Sequence, residues 1–282
     1  MAARNWLGTD GSAPTDLTDV DNWSGGVSIP ASDDEVFFPA NAPVGPSTNP
    51  TGLIARDLDL FQVMQGVTYS IGGSGNHIQV SADKVEYRGT SGKLWYKDGD
   101  ATTDWAVVNS TASDPVGATG HDCFSYTGAT LTHLDVLRGI ATIESGATVT
   151  EFVVGQYNRG SNEAKLVIDA GATSLPLGEQ YSGIVSASTA VGIVRIDGGE
   201  WTQLVGLPTT LRCTGGRYVG KASGTITTAY AYAGAVLDFT QAAGVTTITT
   251  LYKHPNAIVR GWNPENNGMV VVTNLRVLTA DY

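Results

Sequence analysis

A loose repeat in the second half of the chain constrains the fold more than any other feature. Each copy begins with Gly, usually followed by Ala, and continues into Thr and β-branched residues. Successive copies lie between 17 (199 to 216) and 28 (171 to 199) residues apart. Short strand-like segments closed by turn residues at this spacing are typical of a β-solenoid. The copies are Gly128-Ala129-Thr130-Leu131, Gly146-Ala147-Thr148-Val149, Gly171-Ala172-Thr173, Gly199-Glu200-Trp201, Gly216-Arg217-Tyr218-Val219 and Gly234-Ala235-Val236-Leu237.

The remaining pattern predicts an all-β protein. No segment carries apolar residues at i, i+3 and i+4 over three turns, so we expect little helix. The predicted main body, residues 51–282, is a right-handed parallel β-helix. Residues 1–50 are rich in Asp, Pro, Gly and Ser, and the prolines in 39–46 exclude a helix or a central strand there. This segment is predicted to be an irregular N-terminal arm or cap. The alternative fold is a β-sandwich, whose strands would be antiparallel.

Period-two alternation picks out the residues expected to point inward. Because the open ends of a stack of coils expose unpaired strand edges, we expect caps or subunit contacts to cover them. An apolar strand is predicted at 269–278. The predicted core consists of Leu131, Leu134, Val136, Ile143, Val149, Phe152, Leu166, Ile168, Val194, Ile196, Leu211, Val219, Val236, Leu237, Ile248 and Ile258.

Charge and cysteine content exclude several classes of protein. The net charge is −11 and the 16 Lys and Arg residues are scattered, which argues against nucleic acid as a partner. No stretch of 18 apolar residues exists, so we predict no membrane-spanning helix. Cys123 and Cys213 are too few for a disulfide framework and too far apart for a zinc pattern. We expect two buried free thiols in a protein that folds in a reducing cytoplasm.

Several residues could carry chemistry, and none forms a convincing catalytic set. Glu144 and Glu151 could share a face, as paired carboxylates in glycosidases do. His121, Asp122 and Cys123 are consecutive, so in a strand their side chains would point to opposite faces. The four histidines have no metal-ligand spacing. The sequence therefore predicts no enzyme, no cofactor and no metal site. The other carboxylates considered are Asp33, Asp34, Asp169, Glu179, Asp197, Glu200 and Asp238.

Two patterns resemble known families. The N-terminal run resembles the opening of many β-solenoid surface proteins, including autotransporter passengers and structural proteins of tailed bacteriophages. Its residues are Asn5-Trp6-Leu7-Gly8, Asp21-Asn22-Trp23-Ser24-Gly25-Gly26, Ile29-Pro30 and Asp33-Asp34-Glu35-Val36-Phe37-Phe38. The Gly-Ala-Thr repeat is similar to that of β-helical head-decoration and tailspike proteins of phages. The sequence shows no secretory signal, and this favours a phage structural protein over a secreted one. Such a protein is expected to be synthesised in the host cytoplasm and released by lysis.

The resemblance implies a non-enzymatic virion protein, specifically a decoration or cement protein on the capsid surface. Its expected partner is the major capsid protein, bound between capsomers, and its expected state is a homotrimer. The alternatives are a tailspike or receptor-binding protein that acts on or binds polysaccharide, and a bacterial adhesin. Thr- and Tyr-rich segments at 225–232 and 246–252 are expected to form flat exposed or intersubunit surface. The residues assigned to capsid anchoring are Trp6, Asn22, Trp23 and Phe37.

Overall fold

The computed structural model describes residues 2–98, 103–112, 122–128, 130–155, 164–173, 175–263, 265 and 268–279. About 52% of the chain is strand. The helix content of the described residues is one 3-10 turn at Val20–Asn22. The expectation of an all-β chain with little helix is confirmed. The strands are β1 Ala3–Asn5, β2 Glu35–Phe38, β3 Leu53–Val63, β4 Ile78–Tyr87, β5 Leu94–Asp98, β6 Thr103–Asn109, β7 Asp122–Thr127, β8 Leu131–Ile143, β9 Val149–Val154, β10 Ala164–Ile168, β11 Leu177–Gln180, β12 Ile184–Ala187, β13 Ile193–Ile196, β14 Glu200–Gln203, β15 Thr210–Cys213, β16 Arg217–Gly220, β17 Gly224–Ala231, β18 Val236–Asp238, β19 Thr246–Lys253, β20 Ile258–Arg260 and β21 Val270–Val277.

Every pairing between these strands is parallel, which excludes the antiparallel β-sandwich. The strands form two principal ladders. The long ladder runs through β1, β2, β3, β4, β6, β8, β9, β11, β13, β15, β17, β19 and β21. The short ladder runs through β4, β5, β7, β8, β10, β12, β14, β16, β18 and β20.

The glycines of the repeat make the turns between successive strands. All six have positive φ: Gly128, Gly146, Gly171, Gly199, Gly216 and Gly234. At Gly146 and Gly234 a Cβ atom would meet no heavy atom within 4 Å, so the backbone conformation alone requires glycine there. The alanines at 147, 172 and 235, which follow three of these glycines, are buried. The repeat is therefore a turn that points a small residue into the core.

Aromatic side chains form a continuous column inside the N-terminal half. The ring centroids of Trp6 and Trp23 lie 5.1 Å apart, and Trp6 lies 6.2 Å from Phe38. Phe38 packs on Phe61 at 4.8 Å, and Phe61 lies 6.3 Å from Tyr96. All of these rings are buried. Residues 1–50 therefore contribute β1, β2 and three rings to the same core as the strands that follow.

The predicted core is confirmed except at two positions. Val236 is only partly buried, and Ile258 is 49% exposed. These two residues pair with each other across β18 and β20, and both point outward, while Leu237 between Val236 and Asp238 is buried. The error arose because a three-residue strand gives too few positions to fix the inward phase.

The two ends of the stack differ. At the N-terminal end, residues 6–34 lie next to β1, and Trp6, Leu17 and Trp23 are buried. At the other end, β21 pairs with β19 along one edge, and on its other edge the described residues contribute only a single bridge, from Trp262 to Val270. Leu275 and Val277 are exposed there, at 48% and 63%. Within the described residues, no helix has the length and apolar character that crossing a bilayer requires.

Candidate functional site

The two tryptophans assigned to anchoring are internal. Both Trp6 and Trp23 have no exposed surface. The indole of Trp6 donates a hydrogen bond to the carbonyl oxygen of Val44 at 2.8 Å, and that of Trp23 donates to Leu17 at 3.0 Å. Both indole N–H groups are therefore satisfied within the chain, as buried tryptophans require. Their role in this structure is to hold the N-terminal segment on the core.

Asn22 organises the same segment. Its side chain is fully buried and donates to the carbonyl oxygens of Ala13 and Asp16 at 2.7 and 3.1 Å. Its Oδ1 accepts from the backbone amide of Asp10 at 3.0 Å. Asn22 therefore closes an irregular loop. Each of its three hydrogen bonds is made to a backbone group that lies outside the strand pairings.

These positions change the assignment of the anchor. A buried side chain makes no direct contact with a partner, so Trp6, Asn22 and Trp23 are structural residues here. Phe37 is half-buried on the outward side of β2, where it lies between Asn5 of β1 and Gln62 of β3 in register. Of the four residues, Phe37 is the one that presents surface.

The proposed carboxylate pair is not brought together. Glu144 follows the short-ladder part of β8, where it accepts a hydrogen bond from the buried Ser125 hydroxyl and lies 3.2 Å from Nε2 of His77. Glu151 lies in the long ladder, and its Oε2 is 3.4 Å from Nδ1 of His133. The two carboxylates therefore have different partners on different ladders.

His133 forms an ionic cluster on the outer face of the long ladder. Its Nε2 lies 3.0 Å from Oδ1 of Asp135, whose Oδ2 accepts a hydrogen bond from the Trp105 indole at 2.9 Å. The hydrogen bond to Asp135, opposed by partial burial and supported by Glu151, raises the pKa of His133. Because both ring nitrogens face carboxylates, the cluster favours an imidazolium rather than a neutral base.

Asp238 is the most strongly held carboxylate of those considered. Its side chain is 2% exposed and accepts hydrogen bonds from the Thr240 hydroxyl at 2.7 Å and from Arg217 at 2.7 Å. Burial raises its pKa, but these hydrogen bonds outweigh burial and bring the pKa to about 2. Arg260 adds a further contact at 3.4 Å. This arrangement is a structural ion cluster between β16, β18 and β20.

The remaining candidates take structural places. Asp33 has a φ of 62° and Asp34 accepts from the backbone amide of Ala31, so the pair forms the turn expected before β2. Trp201, an aromatic residue that could stack on a sugar only if it were exposed, is fully buried against Phe152 with ring centroids 5.7 Å apart. His121 lies outside the described residues. Among the residues that are described, no three His, Cys, Asp or Glu side chains are grouped as a metal site requires.

The expectation of two buried free thiols is confirmed for both cysteines. Burial raises the pKa of each thiol, that of Cys213 to about 12. A thiol held protonated in this way is a poor nucleophile.

The Thr- and Tyr-rich segments form one outward surface. The 225–232 and 246–252 segments belong to β17 and β19, which pair in register. Ile226, Ala229, Ile248 and Leu251 point inward and are buried. Thr225, Thr228 and Tyr230 alternate with them and remain at least partly exposed. The expectation of an exposed surface here is confirmed.

Next to this surface, two cavities flank a pair of arginines. One cavity has a volume of about 340 Å³. It is lined by Ile193, Arg195, Thr210, Arg212, Tyr230 and Tyr232, and we name it the Arg–Tyr cleft. The second, of about 310 Å³, is lined by Glu179, Gln180, Tyr181, Arg195, Asp197 and Arg212. No local motif marks this site in the sequence. Its charged residues are nevertheless spaced by 16 (179 to 195) and 17 (195 to 212) residues, about one coil, and this spacing is the signal that could have placed them side by side.

Comparison with known proteins yields no relative: no family model matches the chain, and neither a curated protein nor a solved structure matches it. The function has to be inferred from the geometry described above.

Proposed function

We propose that this chain is a right-handed parallel β-helix that serves as a non-enzymatic structural protein of a tailed-phage virion. The two parallel ladders support a solenoid, because each strand pairs with one that lies about one coil further along the chain. The right-handed sense follows from the strong preference of parallel crossover connections for that hand. An experimental structure that showed a left-handed coil or a closed barrel would remove this part of the proposal.

The observation that carries the structural role is the outer edge of β21, with which no other strand of the described residues pairs. An eight-residue edge strand with one charged residue, Arg276, is the kind of edge that pairs with another chain. Leu275 lies in register above the buried Leu251, so it occupies a core position that no other described strand covers. A subunit of an assembly would bury such an end against its partner. We therefore move the proposed capsid contact from the N-terminal segment to β21.

The proposed role is to stabilise the closed capsid by binding to it, an effect of mass action. The chain would be synthesised in the host cytoplasm and would bind the major capsid protein on the capsid surface, between capsomers. A protein that binds only the closed shell raises the free energy needed to open it, by an amount set by its concentration and dissociation constant. The outward Thr and Tyr surface of β17 and β19 is the proposed contact between three copies, since it is flat and carries few of the charges that block association.

Locating the chain in purified virions tests the function. Antibody labelling viewed by electron microscopy is expected to mark the head. Labelling of the tail instead would favour a tailspike or receptor-binding protein, and labelling of neither would contradict a virion protein. Depolymerase activity on host polysaccharide would contradict the non-enzymatic role.

Native mass spectrometry tests the oligomeric state. Three chains of 29.4 kDa are expected in one particle. A stable single chain at micromolar concentration, in the presence of capsids as well as in their absence, would remove the homotrimer from the proposal.

A further inference from the structure

Two arginines are neighbours on the outer face of the long ladder. Arg195 of β13 pairs in register with Arg212 of β15, and parallel strands lie about 4.8 Å apart. Like charges placed opposite each other on neighbouring strands are destabilising. Nη1 of Arg195 is 2.5 Å from Oε1 of Glu179, so its charge is compensated. Within the described part of the chain, Arg212 forms no ion pair with a carboxylate.

Arg212 instead packs on an aromatic ring. Its guanidinium carbon lies 5.3 Å from the centroid of Tyr232. This contact orients the guanidinium but leaves its charge unneutralised. The result is a local positive charge on a protein whose net charge is −11. An anion bound beside Arg212 would neutralise this charge.

The two cavities beside the arginines differ in charge. Glu179 and Asp197 line the smaller cavity and would repel an anion there. The described residues that line the Arg–Tyr cleft include no acidic side chain. Its wall at Tyr230 is fixed, because that ring stacks on Tyr252 with centroids 4.7 Å apart. An anionic group therefore fits the Arg–Tyr cleft rather than its neighbour.

The lining of the cleft defines the chemistry of the ligand. The planar fork of an arginine matches a carboxylate with two parallel hydrogen bonds. Ile193, exposed at 37%, and the two tyrosine rings offer apolar contact, and Thr210 offers a hydroxyl. The volume of about 340 Å³ lies at the small end of ligand pockets. We propose that the Arg–Tyr cleft binds a carboxylate carried on a single ring. This inference goes beyond the structural role, and it requires that the proposed contact between copies leaves the Arg–Tyr cleft uncovered at Tyr230.

Calorimetric titration of the full chain tests the proposal. The probes are sodium glucuronate and sodium benzoate, which distinguish a sugar ring from an aromatic ring, with glucose and benzyl alcohol as their neutral counterparts and inorganic phosphate as a bare anion. At least one carboxylate is expected to bind saturably and at least about tenfold more tightly than its neutral counterpart. Absence of saturable binding of both carboxylates up to about 50 mM, equal binding of a neutral counterpart, or binding of phosphate alone would overturn the proposal.

Substitutions of Arg212 test whether the carboxylate binds in the Arg–Tyr cleft. Arg212→Gln is expected to weaken carboxylate binding at least about tenfold, and Arg212→Lys to weaken it less, because lysine keeps the charge but loses the fork. The matched control is Arg276→Gln, since Arg276 lies in the same outward column, next to Tyr252 and beyond Tyr230. It should change binding less than about twofold. Equal losses in the Arg212 and Arg276 variants would overturn the assignment. Thermal unfolding verifies that each variant is folded, and Arg212→Lys provides the test if Arg212→Gln is not.

Discussion

Tyr230 and Tyr252 occupy neighbouring positions in the long ladder and stack their rings almost in parallel, with centroids 4.7 Å apart and 9° between the ring planes. The pair spans β17 and β19, which are separated along the chain by β18 and its flanking loops. It thus joins two strands through their outward side chains as well as through the backbone. Both residues remain partly exposed, so part of each ring stays available to solvent or to a neighbouring molecule.

The first prediction concerns this pair. A double-mutant cycle with Tyr230→Leu and Tyr252→Leu is expected to give a coupling free energy of about 0.5–1.5 kcal/mol, because stacked rings contribute about this much beyond their buried area. Urea unfolding of the four proteins measures it. The matched control is the Thr228 and Thr250 pair on the same strands, which has no rings. A coupling no larger than that of the threonine pair would show that the stacking contributes nothing.

The second prediction concerns the N-terminal segment. Trp23→Ala should lower the free energy of unfolding by about 3–5 kcal/mol, since it removes a buried ring from the aromatic column. Asn22→Ala should cost about 1–3 kcal/mol, because it removes the three side-chain hydrogen bonds that hold the loop at Asp10, Ala13 and Asp16. Chemical denaturation measures both, and Val27→Ala, at a residue 79% exposed, is the control. Capsid binding lost in either variant while stability is unchanged would return these residues to an anchoring role.

The third prediction concerns Asp238, whose folded-state pKa of about 2 lies below its unfolded value of about 3.9. A depressed pKa contributes stability that is present above the unfolded value and lost as pH falls from about 4 towards 2. Asp238→Asn should therefore cost about 2 kcal/mol near neutral pH, in line with hydrogen bonds to a charged group, and flatten this acid limb. Unfolding measured at several pH values tests it, with Asp169→Asn as the control. An acid limb unchanged in Asp238→Asn would contradict the ion cluster.

The fourth prediction concerns His133. Its pKa is raised in the folded state, so the protonated form stabilises the fold. This contribution is fully present below the unfolded pKa of about 6.5 and is lost as pH rises through the folded value. NMR titration of the imidazole should give a midpoint above 6.5, and Asp135→Asn should lower it. Glu200→Gln, remote from His133 in the short ladder, should leave it unchanged. A midpoint at or below the ordinary value would contradict the geometry.

The fifth prediction concerns the exposed end. Leu275→Glu or Val277→Glu should abolish capsid binding, because burying an unpaired carboxylate against a partner is costly. The effect on the isolated chain should be small, since both side chains are already exposed. Co-sedimentation with capsids is the measurement, and Val27→Glu is the matched control at another exposed valine. Undiminished binding by both β21 variants would place the contact elsewhere.

The sequence predicted those features that depend on short stretches of chain. The repeat glycines predicted the turns, and apolar alternation predicted β21 and most of the core. Short apolar runs in the sequence also predict strands at 68–71, 78–80 and 84–87. At 68–71 the structure has only a single bridge, from Ile71 to Leu94. The other two runs form one continuous strand, β4, because no Gly or Pro between them breaks the extended backbone.

The remaining features depend on register, which one sequence does not specify. β1 pairs with β2 across an irregular segment, so the N-terminal region could not be recognised as part of the ladder. Three residues of its Trp motif, which the resemblance assigned to capsid anchoring, are fully buried: Trp6, Asn22 and Trp23. Arg195 and Arg212 are neighbours because β13 and β15 pair one coil apart, and the sequence alone does not give the length of that coil. A site built from residues in successive coils is therefore hard to recognise before pairing is established.

The parallel ladders also determine how the chain could acquire its structure during synthesis. Paired residues lie between 16 (177 to 193) and 32 (3 to 35) positions apart. Low sequence separation keeps the loop-closure entropy of each pairing small and favours rapid folding. Strand pairing of this kind allows folding to follow the order of synthesis, from the tryptophan-closed end towards β21. Within the described residues, the outer edge of β21 presents the same kind of backbone groups as those on which each earlier coil was added.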